Sequence, residues 1–386
     1  MTAPTREQPR PELSTIAREW SRIGLTGFGG PPAHIALLRR LAVERAHWFD
    51  EDELERAIAA CNLLPGPAST QLAIYLARRL RGALGALIGG LGFIVPSVVM
   101  ITALSALYLA QSPPSWIRGA AGGAGAAVAA VAVRAGSGLV PASWRRAQAQ
   151  RARSRWLAYM VAGALAAALV GPYLVLVLLS CGLIELGLRA RVRGSAGAVS
   201  LGGFGGAGAG GLGALVWVAL KVGALSFGGG FVIVPLMQGD AVHTYHWMTP
   251  SQFLGAVALG QLTPGPVVAT IAAVGYGAHG VGGAALAAGV AFLPSFVFVV
   301  GGAPHFDRVQ GDARVRAFLE GAGPAAIGAI LGSAVPLAGA ITATWQIPVL
   351  AAAAIAVLAL RRGIVPVLVG AGIIGAGVAL AGGQVP

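Results

Sequence analysis

The residues with the clearest chemistry in this chain are not acids, bases or nucleophiles. They are glycine-rich breaks and Pro-Gly-Pro turns set inside apolar sequence. The first break reads Thr26-Gly27-Phe28-Gly29-Gly30, followed by Pro31 and Pro32. The first turn is Pro65-Gly66-Pro67, with Asn62 before it and Ser69, Thr70 and Gln71 after it. Both recur. The second break is Ser226-Phe227-Gly228-Gly229-Gly230, and the second turn is Pro264-Gly265-Pro266, flanked by Gln261, Thr263 and Thr270. Proline suits the first turn of a helix, where its missing N–H costs nothing. A helix start offers free N–H groups and partial positive charge, which favour an anion. Gly29, Gly30, Gly228 and Gly229 let backbone approach an ion closely. The hydroxyl and amide side chains add neutral donors. The implied chemistry is non-covalent binding of a small anion.

The ionisable residues are few. Arg22 and Lys221 each stand six residues before a Phe-Gly-Gly, inside an apolar segment. Intramembrane cations are costly and usually paired or functional, and two of them would attract an anion. Snorkelling to the interface is the competing account. His34 follows the first break by one turn and can titrate near neutral pH; simple polar packing is its other reading. Glu185 has Arg189 four residues on, which favours an ion pair, with proton coupling as the alternative. The run Asp50-Glu51-Asp52-Glu53, with Glu55, opens a helix and complements its dipole, so it reads as a cap and not a cation site. Cys61 and Cys181 lie in apolar surroundings, with no metal spacing and no implied disulfide. No nucleotide loop, zinc pattern or nucleophile constellation occurs. The expectation is therefore no enzyme, no catalytic residues, no metal and no cofactor.

These residues must be positioned by membrane helices. The chain has 386 residues, 56% hydrophobic and 11% charged, with mean hydropathy +0.75. A soluble domain carries roughly a quarter charged residues. Apolar runs such as 83–110 and 212–237 are long enough to span a bilayer. Fifty-nine glycines fit close helix packing through small residues. The fold class is an all-α polytopic membrane protein. A net charge of +13 would suggest nucleic acid in a soluble protein. Here the arginines sit in short loops beside apolar spans, so the positive-inside rule explains them. No nucleic-acid partner is expected, only the lipid bilayer. Residues 1–12 form a polar tail without the apolar stretch of a cleavable signal.

The chain is written twice. A shift of 199 residues aligns Phe28-Gly29-Gly30 with Phe227-Gly228-Gly229, Trp48 with Trp247, Asn62 with Gln261, and the two Pro-Gly-Pro turns. One residue is then lost, and Gly82 meets Gly280 while Pro96-Ser97 meets Pro294-Ser295. Later, Gly119 meets Gly321 and Trp156 meets Trp345. The expected repeats are 13–193 and 211–386, joined by a Gly/Ala/Ser-rich linker at 194–210. Arginines fill loops of the first half whose counterparts in the second are nearly empty, and the reverse holds for Arg308, Arg314, Arg316, Arg361 and Arg362. The copies are therefore expected to insert in opposite senses, an arrangement common in transporters with a site where broken helices meet. Pieces 53–64 and 68–77 are each too short to span and read as a re-entrant hairpin. Stretches 83–110 and 119–140 read as full spans, and 156–170 with 172–188 as a second hairpin. Packing and kinking explain any single glycine or proline in such helices; the matched placement of four breaks points to function.

The phrases "GLTGFGGPPAHI" with "NLLPGPASTQ", and "GALSFGGGFVIVP" with "QLTPGPV", resemble the chromate ion transporter family in its long, two-domain form. The resemblance covers nearly the whole chain. It implies export of chromate from the cytoplasm across the inner membrane, with chromate resistance as the consequence. It carries over Phe28, Gly29, Gly30, His34, Pro65, Gly66, Pro67, Phe227, Gly228, Gly229, Pro264, Gly265 and Pro266 as motif positions. The second half has Ile233 where the first has His34, so the halves cannot contact an ion identically. The expected substrate is a tetrahedral oxyanion, chromate first, held between the half-helix ends. Sulfate is a close chemical relative. A sulfate or general oxyanion exchanger, a passive anion channel, and a membrane-embedded enzyme or scaffold are the alternatives. A homodimer is left open.

Overall fold

A computed structural model describes residues 11–62, 64, 66–170, 173–192, 211–226, 230–302 and 312–385. Pro65, Phe227, Gly228, Gly229, Arg308, the 194–210 segment and most of the 1–12 tail lie outside the described residues. Among the described residues every regular element is helical.

The first half opens with α1 (Leu13–Thr26) and α2 (Pro31–Arg39), which continues as a π turn, Arg40–Arg45. Then come α3 (Glu51–Cys61) and α4 (Ala68–Tyr108). The 41 residues of α4 are not one rod. Arg81 (φ −139°, ψ 28°) and Gly82 (φ 62°, ψ −149°) reverse the chain. A short arm, 68–80, folds back on a long arm, 83–108, and a Cβ at Gly85 would collide with the Ala77 carbonyl. Glycine at 82 permits the positive φ without a Cβ penalty. α5 (Ser115–Ala149), α6 (Arg153–Leu165) with a π turn Ala166–Val170, and α7 (Leu174–Val192) complete the half. The expected span 119–140 is thus part of a longer helix.

The second half follows the same order. It contains α8 (Leu212–Ala224), α9 (Ile233–Gln238) with a π turn Gly239–Thr244, and α10 (Pro250–Leu262). A 3₁₀ turn, Val267–Thr270, leads into α11 (Ile271–Phe296). Then follow α12 (Ala313–Gly332), α13 (Ala334–Gly339), α14 (Gln346–Ala354) with a π turn Ile355–Ala359, and α15 (Ile364–Leu380). The apolar run 212–237 is not a single span. α8 ends at Ala224 and α9 begins at Ile233, helix ends that an apolar count does not register.

The repeat extends to backbone angles. His279 (φ −146°, ψ 33°) and Gly280 (φ 61°, ψ −151°) reproduce the reversal at Arg81-Gly82. His47 (φ 50°) and His246 (φ 52°) are both left-handed. α3 and α10 each begin with a capping box, Asp50/Glu53 and Thr249/Gln252, a reciprocal device that satisfies two helix-end donors.

Corresponding elements run in opposite directions. The long arms of α4 and α11 pack antiparallel: Ala86 clusters with Val299, and Gly90 faces the Phe296 ring. The N-terminal end of α3 is tied to arginines, through Arg39 to Glu51 and Glu55 and through Arg79 to Glu53. The N-terminal end of α10 lies at the far end of α4, where Tyr108 Oη donates to the Ser251 carbonyl at 3.2 Å. The halves also exchange partners, since α5 packs on α14 and α15 while α12 packs on α6 and α7. Among the described residues, four stretches are long and apolar enough to cross a membrane: Ala68–Tyr108, Ser115–Ala149, Val267–Gly301 and Ala313–Gly339. Leu84, Leu87, Leu91, Val95 and Val99 expose one outward stripe of α4, a helical spacing suited to lipid.

Candidate functional site

The breaks of the two halves converge. Gly66 (φ +123°) and Gly265 (φ +103°) hold matching left-handed backbone at the two Pro-Gly-Pro tips. Each tip ends one helix and starts another. Pro67 is the N-cap of α4, and Pro266 precedes the 3₁₀ turn that leads into α11. The first N–H groups of such a start have no intrahelical acceptor and point at the tip. The Gly265 N–H donates to the Gly27 carbonyl at 3.0 Å, which joins the second tip to the first break. Gly30 and Gly230 both lie against Val267, just past that tip.

His34 organises the first break. It is fully buried, with its ring edge-on to Phe93 at 5.0 Å. Its Nε2 lies 2.9 Å from the Gly27 carbonyl oxygen, and its Nδ1 lies 3.2 Å from Ser69 Oγ. A carbonyl can only accept, so Nε2 carries the proton and Nδ1 accepts from the Ser69 hydroxyl. The Gly27 carbonyl therefore receives two donors, one from each half. The corresponding Ile233 cannot do this.

The long arms supply two more hydroxyls. A Cβ at Gly66 would stand 2.5 Å from Gln71 Nε2 and 3.3 Å from Ser295 Oγ. A Cβ at Gly265 would stand 2.6 Å from Ser97 Cβ and 2.8 Å from Ser97 Oγ. Each tip thus meets a serine of the other half. Ser97, Ser295, Ser226 and Thr70 are buried, with no hydrogen-bond partner for their hydroxyls among the described residues. Gln261 Nε2 is likewise unpartnered. Thr263 and Thr26 return their hydroxyls to their own helices, at Leu259 and Arg22. Phe28 is half exposed and Gly29 lies against Ala33.

A cavity of about 500 Å³ reaches the first tip. Asn62, Leu64, Gly66 and Ala68 line it together with the charged residues Arg146, Arg155, Arg189, Arg316, Glu185 and Glu320. Glu185 is 2% exposed. It accepts from Arg189 Nε at 2.9 Å and Tyr159 Oη at 3.1 Å, with Arg155 at 3.5 Å; the pairing expected with Arg189 is present. Arg189 also pairs with Glu320. Among the described lining residues arginines outnumber glutamates, and a cationic lining favours the entry of anions. The cavity separates α3 from α12. The corresponding pair is closed: α10 packs along α5 with Leu254 against Gly125, and Gly255 meets the Tyr108 ring.

Arg22 and Lys221 are not among the residues that line this cavity. The Arg22 side chain is 64% exposed and lies 3.7 Å from Glu19. Lys221 is 2.6 Å from Asp240 Oδ2 and largely buried. Sequence reasoning found the Glu185–Arg189 pair but missed Asp240, the rest of the charged cluster lining the cavity and the two long-arm serines. The serines did carry a signal, since each follows a proline that the repeat superimposes.

Comparison with known proteins decides the family. The model of the family described as "Chromate transporter" matches residues 14–186 and again 213–376. The chain belongs to the chromate transporter family. It is 32% identical over 342 residues to the chromate transport protein of Cupriavidus metallidurans, covering 86% of this chain and 84% of that one. It is 31% identical over 364 residues to the chromate transport protein of Pseudomonas aeruginosa, covering 87% and 84%. It is 30% identical to the probable chromate transport protein of Synechococcus elongatus, covering 85% of each chain. No solved structure matches it. The two matched regions of the chromate transporter family each contain one Phe-Gly-Gly break and one Pro-Gly-Pro tip, and the structure brings the two tips into contact with the opposite region.

Proposed function

We propose that this membrane protein is a secondary carrier of chromate, built from two inverted repeats at 13–193 and 211–386, with 194–210 as linker. Its substrate sits between the two tips and the two breaks. Gly29, Gly30, Gly66, Ser69, Thr70, Gln71, Ser226 and Gly265 are the nearest described contributors, with Asn62, Gln261 and Thr263 at the tip margins. Pro65, Phe227, Gly228 and Gly229, which the sequence motifs assign to the same site, lie outside the described residues. Backbone N–H groups and neutral hydroxyls hold the dianion, and the arginines that line the cavity bring it in.

One observation carries this reading. The first tip lines an open, positively charged cavity, while its twin is capped by the Gly27 carbonyl and shut behind α10 and α5. Twin sites in opposite states of access are what alternating access between inverted repeats requires. The arginine-rich face is cytoplasmic under the positive-inside rule. The cavity then faces the cytoplasm, which fits export across the inner membrane and chromate resistance. The reading is a carrier and not an enzyme, and sulfate is its natural competitor.

The test is uptake of radiolabelled chromate into inverted vesicles bearing the full chain, with and without excess sulfate. Saturable uptake that resists sulfate is expected. Uptake of sulfate without chromate would make the protein a sulfate carrier. Flux that never saturates would replace the carrier by a channel.

A further inference from the structure

We infer that each Pro-Gly-Pro tip is completed as an oxyanion half-site by a serine of the other repeat, Ser295 at Gly66 and Ser97 at Gly265. The inference rests on the carrier reading above and adds to it two residues and a sidedness. Ser97 and Ser295 lie inside the long arms, one residue after Pro96 and Pro294. They are 1% and 0% exposed. Neither hydroxyl has a hydrogen-bond partner among the described residues. A serine or threonine in a membrane helix commonly returns its O–H to a carbonyl one turn back, as Thr102 does to Val98 at 2.7 Å. These two do not, and a buried hydroxyl without a partner carries a desolvation cost that a ligand oxygen would remove.

Their placement selects the ligand. At Gly66, the Ser295 hydroxyl and the helix-start N–H groups of α4 face one small region. Thr70 Oγ1, fully buried and unpartnered, sits in the same first turn. These groups are neutral donors arrayed around a positive helix end. They suit a compact anion whose oxygens accept from several directions, a tetrahedral oxyanion such as chromate. A neutral donor set also lets the ion leave again, which a carrier needs. Glycine is required at the tip because a Cβ would occupy the space between the tip backbone and the serine.

The two half-sites differ in access. Gly66 lines the cavity, and Ser295 stands just behind it, outside the lining, so the Ser295 half-site is approached from the arginine face. The Gly265 N–H is engaged by Gly27, so the Ser97 half-site is shut in this conformation. Ser295 therefore serves loading from the arginine face, and Ser97 serves release or loading at the opposite face.

The experiment uses the full chain in vesicles of both orientations, with half-saturation by radiolabelled chromate measured from each face. Ser295→Ala is expected to raise half-saturation about tenfold from the arginine face and to leave the other face near wild type. Ser97→Ala is expected to do the reverse. Both variants should unfold in detergent at or above the wild-type temperature without chromate, because each removes an unpartnered buried hydroxyl. They should lose most of the shift that chromate confers on the wild type. Unchanged half-saturation in both variants, or equal losses from both faces, would overturn the inference while leaving the carrier intact. A wild type that takes up no chromate from either face would overturn the carrier and this inference together.

Discussion

Lys221 places its Nζ 2.6 Å from Asp240 Oδ2, tying α8 to the π turn after α9. The first half ties α1 to its own π turn at the matching place, through Glu19 and Arg45 at 2.7 Å, with the signs exchanged. Asp240 corresponds to Leu41 and Glu19 to Val218, so each half keeps the link while using different residues. Lys221 is thus a balanced charge that ties α8 to the π turn. Lys221→Gln leaves Asp240 buried and unpaired, and should cost about 3–5 kcal/mol of stability. Replacing both residues by leucine should recover most of that, read as unfolding temperature in detergent. A stable double-leucine variant with normal chromate affinity gives the pair a scaffold role. A stable double variant that binds chromate poorly would restore Lys221 as an attractor for the anion.

His34 makes a sharper case, because its two bonds join the first break to the start of α4. His34→Ile installs the residue of the second half. The Gly27 carbonyl then keeps only the Gly265 N–H, and Ser69 loses its acceptor. Each lost bond in a buried setting costs roughly 1–3 kcal/mol, spread between stability and the geometry of the tips. Chromate uptake should fall at least about tenfold, since every 1.4 kcal/mol is a factor of ten. Wild-type uptake by His34→Ile would remove the imidazole from the mechanism.

The left-handed backbone at Gly29, Gly30, Gly66 and Gly265 was legible in the sequence because glycine and proline declare backbone geometry by type alone. The alignment of Gly82 with Gly280 even anticipated the matching left-handed angles. Arg78, Arg79 and Arg81 already separate the piece 68–77 from the span 83–110; what the structure adds is that the second arm folds back along the first at Gly82. The run 212–237 misled because nearly all of its residues are apolar or glycine, and hydropathy does not register where α8 ends and α9 begins. Asp240 was invisible, since a lone acid in a loop-like stretch gives no hint of a partner 19 residues earlier. Ser97 and Ser295 were aligned but not singled out, because a partnered and an unpartnered hydroxyl are spelled alike. What decides their meaning is which helix of the other half they face, and that is settled only by packing.

Gly66 and Gly265 should tolerate no side chain. Each holds a positive φ above 100°, where an L-residue costs about 1–2 kcal/mol. Alanine at 66 would also press on Gln71 Nε2 and Ser295 Oγ, and alanine at 265 on Ser97. Transport by either variant should be lost, with expression reduced less than activity. The control is Gly138→Ala, where a Cβ meets nothing within 4 Å and helix propensity improves by up to about 1 kcal/mol. Retained transport by Gly66→Ala would show that the tip backbone is not a ligand.

The two faces of the carrier should differ toward a water-soluble thiol reagent. Asn62 and Gln261 are matched positions just before the tips. Asn62 is exposed and lines the cavity, whereas Gln261 is 9% exposed beside the closed α10–α5 contact. Cys61 and Cys181 are both buried and free and can be replaced by serine to leave a silent background. In that background Asn62→Cys should react quickly when the reagent meets the arginine face, and chromate should slow the reaction by competing for the same cavity. Gln261→Cys should react slowly from the opposite face, and faster once a counter-substrate drives turnover, because each cycle opens that side. Equal, turnover-independent labelling of both positions would mean a path open to both faces at once. That is the signature of a channel, and it would end the alternating-access account.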